Sequence, residues 1–217
     1  MAVTRFCEQP ELVQVGGTKD PDVEAIVELA PDLVVVCEEE NRAADAEALQ
    51  GAGLRVHVVR IDSLAEVFPQ LERLAEAVGA APPEPFPIGP DALPSPGGLE
   101  RDRGPRAFVP IWRRPWMTMS GGCYGSSLLA AIGIVNVFAD HPDRYPTTSL
   151  DEARARRPDV VVAPSEPYPF GARHVGELEE VGPVELVDGQ DLFWWGIRTP
   201  AAMERLRHRL VDWVGRA

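Results

Sequence analysis

Pro158-Asp159-Val160-Val161-Val162-Ala163-Pro164-Ser165-Glu166-Pro167-Tyr168-Pro169-Phe170 is the stretch that decides the fold. A short apolar run after Pro-Asp, too short for a helix and free of polar alternation, reads as a strand buried on both faces of a parallel sheet. A capped helix precedes it: Ser149, with Glu152 three residues on, predicts a capping box. An acidic, aromatic loop follows it. The same order stands 127 positions earlier, where Pro31-Asp32-Leu33-Val34-Val35-Val36-Cys37 leads into Glu38-Glu39-Glu40. Two matched helix–strand–loop units predict two α/β lobes, each a parallel sheet covered by helices.

Outward from these anchors the alternation continues. In the first half, Leu12 to Val15 is a short strand ending at Gly16-Gly17. Asp20 caps a helix whose first position is Pro21, a residue already lacking the N–H that would go unpaired there. A helix spans about Arg42 to Gln50, a strand Val56 to Val59, and an amphipathic helix Leu64 to about Ala80. Pro69 predicts a kink or a late start in that last helix. In the second half, a strand covers Ala107 to Ile111, a helix Ser126 to Ile132, a strand Val184 to Val187, and a final helix Thr199 to Val214. Trp213 reads as core, at helical spacing with Leu206 and Leu210.

Between the halves, Pro82 to Pro96 holds 7 prolines in 15 residues, of 22 in the chain. Neither a helix nor a central strand accommodates that density, so the stretch reads as an extended connector. An insertion within a single domain is the alternative reading. The expected layout is residues 1–81 as an N-terminal lobe, 82–105 as linker and 106–217 as a C-terminal lobe.

The 217 residues carry a net charge of −13. Such acidity repels phosphate, which argues against nucleic acid and anionic lipid as main partners. Three widely spaced cysteines (Cys7, Cys37, Cys123) exclude a disulfide framework and a zinc knuckle as expectations. No stretch approaches 18 apolar residues, so no membrane span is expected, and no signal-like run opens the chain. As written it reads as cytoplasmic, and as extracytoplasmic if the true start lies upstream. A monomer is expected.

In open parallel sheets, ligands lie beyond the carboxyl ends of the strands. Those loops are Gly16-Gly17-Thr18-Lys19, Glu38 to Asn41, Trp112-Arg113-Arg114-Pro115-Trp116, the segment with Glu166, Tyr168 and Phe170, and Phe193-Trp194-Trp195 with Arg198 beyond. Four of the five tryptophans fall there, which suits a flat, partly apolar ligand oriented by a few charges. The expected ligand-binding residues are Glu39, Trp112, Arg114, Trp116, Glu166, Tyr168, Phe170, Trp194, Trp195 and Arg198. No catalytic residue, metal ligand or intrinsic cofactor is expected.

These motifs resemble a known family. Val15 to Asp22, Leu29 to Val36 and Glu39 to Arg42 look like its first lobe. Pro110 to Met117, Asn136 to Asp140, Arg144 to Pro146, Glu166 to Phe170 and Arg198-Thr199 look like its second. The family is the class III substrate-binding proteins of ABC transporters, the helical-backbone metal receptors, which bind cobalamin or iron–siderophores. The resemblance implies a two-lobed α/β binder that clamps a corrinoid or metal chelate in the inter-lobe cleft and presents it to a permease. It places Trp112, Trp116, Tyr168 and Trp195 in that cleft. It also puts a strand and helix ahead of Val3 to Cys7, leaving the first lobe short, and a rigid helix where the proline-rich stretch stands. Of the family's ligands, cobalamin is preferred over ferric siderophores because many of the latter are anionic and the chain is acidic.

Two rival readings stand beside this one. A corrinoid- or chelate-binding protein of the cytoplasm, outside transport, fits the absence of a signal. Alternatively, Gly121-Gly122-Cys123-Tyr124-Gly125 fits a G-x-nucleophile-x-G elbow preceded by a strand at Trp116 to Met119, with Asp188 and His208 in α/β-hydrolase order. Gly16 to Lys19 lacks the spacing of a phosphate-binding loop. Glu38 to Glu40 read as solvated loop charge, and the four histidines show no ligand spacing, His57 reading as packed core.

Overall fold

A computed structural model describes residues 2–3, 11–84 and 104–214. The chain divides into two compact units, one of residues 1–60 with 70–83 and one of 61–69 with 84–217. Most of the connector from Pro82 to Pro96 lies outside the described residues, as do Cys7 and the side chain of Trp213.

The second unit is built on four parallel strands in the order β11-β10-β5-β8. They are β5 (Arg106–Phe108), β8 (Val135–Asn136), β10 (Val160–Pro164) and β11 (Val184–Val187). All five residues of β10 are buried, as its unbroken apolar run predicts. The predicted strand at 107–111 divides instead. After β5 the chain turns into a small antiparallel sheet of β6 (Pro110–Trp112), β7 (Trp116–Thr118) and β9 (Thr147–Thr148). The strand expected at Trp116 to Met119 is β7, whereas nothing in the residues around Thr147 announces β9.

Helices α4 (Tyr124–Ala131), α5 (Leu150–Ala155), α6 (Ala172–Leu178), α7 (Gly189–Phe193) and α8 (Thr199–Val214) complete this unit. Ser149 caps α5, its hydroxyl accepting from Glu152 N–H at 3.1 Å. The Glu152 carboxylate turns away from the reciprocal half of the box. It accepts from the Thr148 hydroxyl at 2.9 Å and pairs with Arg156. Buried Asn136 is fully used: its amide donates to Met119 O and Ser126 Oγ and its carbonyl accepts from Phe138 N–H. That hub joins the end of β8 to the β7–α4 turn.

The first unit has two parallel pairs, β1 (Ala2–Val3) with β2 (Val13–Gln14) and β3 (Val34–Cys37) with β4 (Val56–Val59). Helix α1 (Val23–Leu29) is capped by Asp22, not Asp20, the carboxylate accepting from Ala25 N–H at 3.0 Å. Pro21 stays outside the helix because Asp22 N–H is committed to Val15 O at 2.9 Å. Helix α2 spans Ala43–Gly51. Only Val36 is buried in β3, contrary to the expected fully buried strand. Among the described residues β3 has one neighbouring strand, too little to cover both faces.

Helix α3 (Leu64–Val78) begins at Leu64 despite Pro69, and the boundary between the units falls at Pro69–Gln70. Its first turn belongs to the second unit: Leu64 N–H donates to Ser127 Oγ at 2.9 Å and Asp62 pairs with Arg144. Glu66 accepts from the Asp62 and Ser63 N–H groups, satisfying donors a helix start leaves open.

Candidate functional site

Because β5, β10 and β11 run parallel, their carboxyl ends share one edge of the sheet. Three loops leave from it: the β6–β7 hairpin tip, residues 165–171, and residues 188–198. The first two meet. Trp112 packs edge-on to Tyr168, ring centres 5.6 Å apart at 76°. Tyr168 lies 4.8 Å from Phe170, and Trp116 stacks on Phe170 at 6.0 Å and 5°. Such spacings fall within the favourable range for aromatic pairs. Phe170 is buried in the main core, while Trp112 is 44% exposed, so the cluster runs from a fixed base to an open ring.

Sequence reasoning missed the groups that brace this cluster. Arg113 donates to Glu177 at 2.8 Å, and that carboxylate first, then the nearby Tyr168, favours its charged form. His174 on α6 lies 5.5 Å from both Tyr168 and Phe170. It is buried, and its Nδ1 accepts from Gly171 N–H at 3.1 Å while Arg173 Nε approaches Nε2 at 3.2 Å. A neutral imidazole accepts at only one nitrogen, so the two contacts compete. Burial first, then Arg173 and Arg113, pushes the His174 pKa below its ordinary value. Helix α6 was not predicted, so the shared face of His174 and Glu177 was not legible. Arg113 stood in view within the quoted hairpin.

The remaining expected residues separate into three places. Arg114 sits exposed at the hairpin tip in the left-handed region, φ +71°. Half-buried Glu166 lies over Gly189, where a Cβ would overlap its backbone and Cγ, and Ser165 Oγ accepts from Gly189 N–H. Trp194 is exposed with Arg198 5.6 Å above its ring, and Trp195 is half-buried. Arg198 is held in turn by buried Asp191 at 3.1 Å, which also takes Arg205 at 2.7 Å, and by Gln190 at 3.2 Å. Two guanidiniums offset the cost of burying that carboxylate. Glu39 belongs to the first unit, in an exposed turn where its carbonyl accepts from Lys19 Nζ at 2.7 Å. Asn41 joins this turn to the Gly16–Lys19 loop, accepting from Cys37 N–H and donating to Thr18 O.

The glycine-rich segment at 121–125 is a packing turn. A Cβ at Gly121 would overlap Ala139 O, and Gly125 lies against Leu192 and Phe193. Cys123 has an ordinary extended backbone, φ −119°, and is buried, its thiol donating to Arg144 O at 3.4 Å. This is not the exposed, strained nucleophile of an elbow. Asp188 caps α7, accepting from Gln190 N–H at 2.9 Å. Asp188 and His208 line an open groove of about 630 Å³ along β11 and α8, and Cys123 is not among its lining residues. No helix among the described residues is long and apolar enough to cross a membrane.

No family model matches the chain. It is 24% identical over 173 residues to a vitamin B12-binding protein of Vibrio cholerae, covering 74% of this chain and 61% of the relative. A vitamin B12-binding protein of Yersinia pestis is 26% identical over 176 residues, covering 75% and 60%. The chain thus spans about three fifths of the length of these curated relatives. Among solved structures, the periplasmic vitamin B12-binding protein of Vibrio cholerae superposes with a TM-score of 0.72 at 21% identity, over 93% of this chain and 82% of that one. The periplasmic heme-binding protein of the same organism gives 0.70 at 15% identity, over 94% and 86%.

Proposed function

We propose that this chain, which has the class III periplasmic-binding-protein fold, is a substrate-binding protein for a corrinoid or metal-chelate ligand and performs no catalysis. The observation that carries the reading is the joined cluster of Trp112, Tyr168, Phe170 and Trp116 beyond the carboxyl edge of the β11-β10-β5-β8 sheet. An apolar base, an exposed indole and nearby guanidiniums offer a flat ligand stacking surface on one side and polar anchors at its rim. Trp112, Trp116 and Tyr168 are assigned to ligand contact, with Phe170 beneath them as support. Trp194, Trp195 and Arg198 form a second candidate contact, and Glu39, Arg114 and Glu166 candidate polar anchors.

By analogy with the periplasmic relatives, the proposed place of action is outside the cytoplasmic membrane, handing ligand to an ABC permease. Titration with cobalamin, haemin and ferric siderophores, followed by tryptophan fluorescence, tests the binding reading. Saturable quenching by at least one of them at tens of micromolar or below is expected. Absence of quenching by all three would overturn it.

A further inference from the structure

The hairpin that carries Trp112 and Trp116 is cationic, although the chain as a whole carries −13 and the 165–171 loop beside it holds one acid, Glu166. Arg113 and Arg114 occupy the hairpin tip directly between Trp112 and Trp116, and Arg173 stands on the first turn of α6 beside His174. Contacts tie most of these together: Arg113 to Glu177, Arg173 to His174, His174 to Tyr168, Tyr168 to Trp112. Glu177 and Glu166 offset two of the three guanidinium charges, leaving one in excess. Arg173 and Arg113 both disfavour a charged imidazole at His174, after burial itself.

Arg114 is the member set at the centre of the hairpin. Arg113 is spent on Glu177, whereas neither Arg173 nor Arg114 has an ion pair among the described residues, and of these two Arg114 is the one set between the tryptophans. It is exposed, and its φ of +71° is uncommon for a non-glycine residue. The hairpin therefore holds an unengaged guanidinium two residues from each tryptophan.

We infer that the ligand carries an acidic group, a carboxylate or phosphate, beside its flat body, and that Arg114 is the residue that reads it. This rests on the binding function proposed above and reverses the preference for a neutral corrinoid drawn from net charge, because whole-chain charge does not set the field at one loop. A guanidinium meets such an oxyanion through charge-assisted, bidentate hydrogen bonds that an amide or ester cannot reproduce.

Two matched pairs of probes test it. Dicyanocobyrinic acid, with carboxylate side chains, is compared with dicyanocobinamide, whose side chains are amides; haemin is compared with its dimethyl ester. For at least one pair the acid should bind about tenfold tighter at low salt, with the ratio shrinking as salt is added. The ratio should fall to about twofold or less in Arg114→Asn, since asparagine accepts a left-handed backbone and leaves the hairpin intact. It should persist in Arg207→Gln, which removes the same charge from an exposed site on α8. Equal binding of acid and amide or ester in both pairs overturns the inference and leaves the tetrapyrrole reading standing. An acid preference unchanged in Arg114→Asn overturns the role of Arg114. Binding of none of the four overturns both.

Discussion

Strands β3 and β10 are near copies in sequence and opposites in burial. Each follows a left-handed residue and a Pro-Asp pair, Ala30 at φ +44° before Pro31 and Arg157 at φ +52° before Pro158. Each leads into an acidic loop, and Glu39 and Glu166 occupy equivalent places. Yet β10 is buried throughout, flanked by β11 and β5, whereas Val35 in β3 is 47% exposed. The aspartates diverge likewise. The Asp159 carboxylate accepts from Arg106 N–H at 2.8 Å while its own N–H donates to Arg106 O, pinning the turn to β5; Asp32 is exposed. An apolar run after Pro-Asp encodes a strand. How deeply it is buried depends on the neighbours the rest of the chain supplies.

The sharpest way to break the comparison is to truncate equivalent valines. Val162→Ala should cost about 2 kcal/mol in urea unfolding, because a fully buried side chain leaves a cavity. Val35→Ala, half exposed, should cost under about 0.5 kcal/mol. Equal costs would mean β3 is covered in solution. Next, Asp159→Ala should cost about 1 kcal/mol by removing the acceptor for Arg106 N–H, against nearly nothing for Asp32→Ala. If both are silent, the Pro-Asp turn is not what anchors β5.

Replacing the left-handed residues tests what the two turns share. Ala30→Gly and Arg157→Gly should each change stability by a few tenths to about 1 kcal/mol in the stabilising direction, since glycine adopts positive φ without the Cβ clash. The smallest effect concerns acid. His174 is held neutral in the folded state, so the unfolded chain binds its proton first as pH falls below the ordinary 6.5. Its contribution is present above that value and is lost on acidification. His174→Gln should therefore flatten the dependence of Tm on pH below about 6.5, and an unchanged slope would contradict the assignment.

Most parallel strands and long helices were legible, because their apolar runs or capping residues exceed any turn signal nearby. Of the shortest strands, β2 and β7 match the expected strands at Leu12 to Val15 and Trp116 to Met119, whereas β8 and β9 were not legible, being set by pairing partners distant in sequence. The cap at Asp22 was misplaced because Asp20 and Asp22 flank the same proline and only Val15 decides between them. At the site, aromatic side chains advertised themselves by their position after strands. Their bracing by Arg113, His174 and Glu177 depends on α6, whose Gly171 N-cap carries no side-chain signal.

The central claim is that a flat ligand rests on the aromatic cluster of the second unit, with Trp112 as its open face. Affinity for the tightest-binding tetrapyrrole, measured by fluorescence titration in the wild type and in Trp112→Ala, tests this most directly. The account predicts saturable binding at tens of micromolar or below that weakens about tenfold or more in the variant, in line with the loss of one aromatic anchor. Binding of equal strength in both proteins would contradict it.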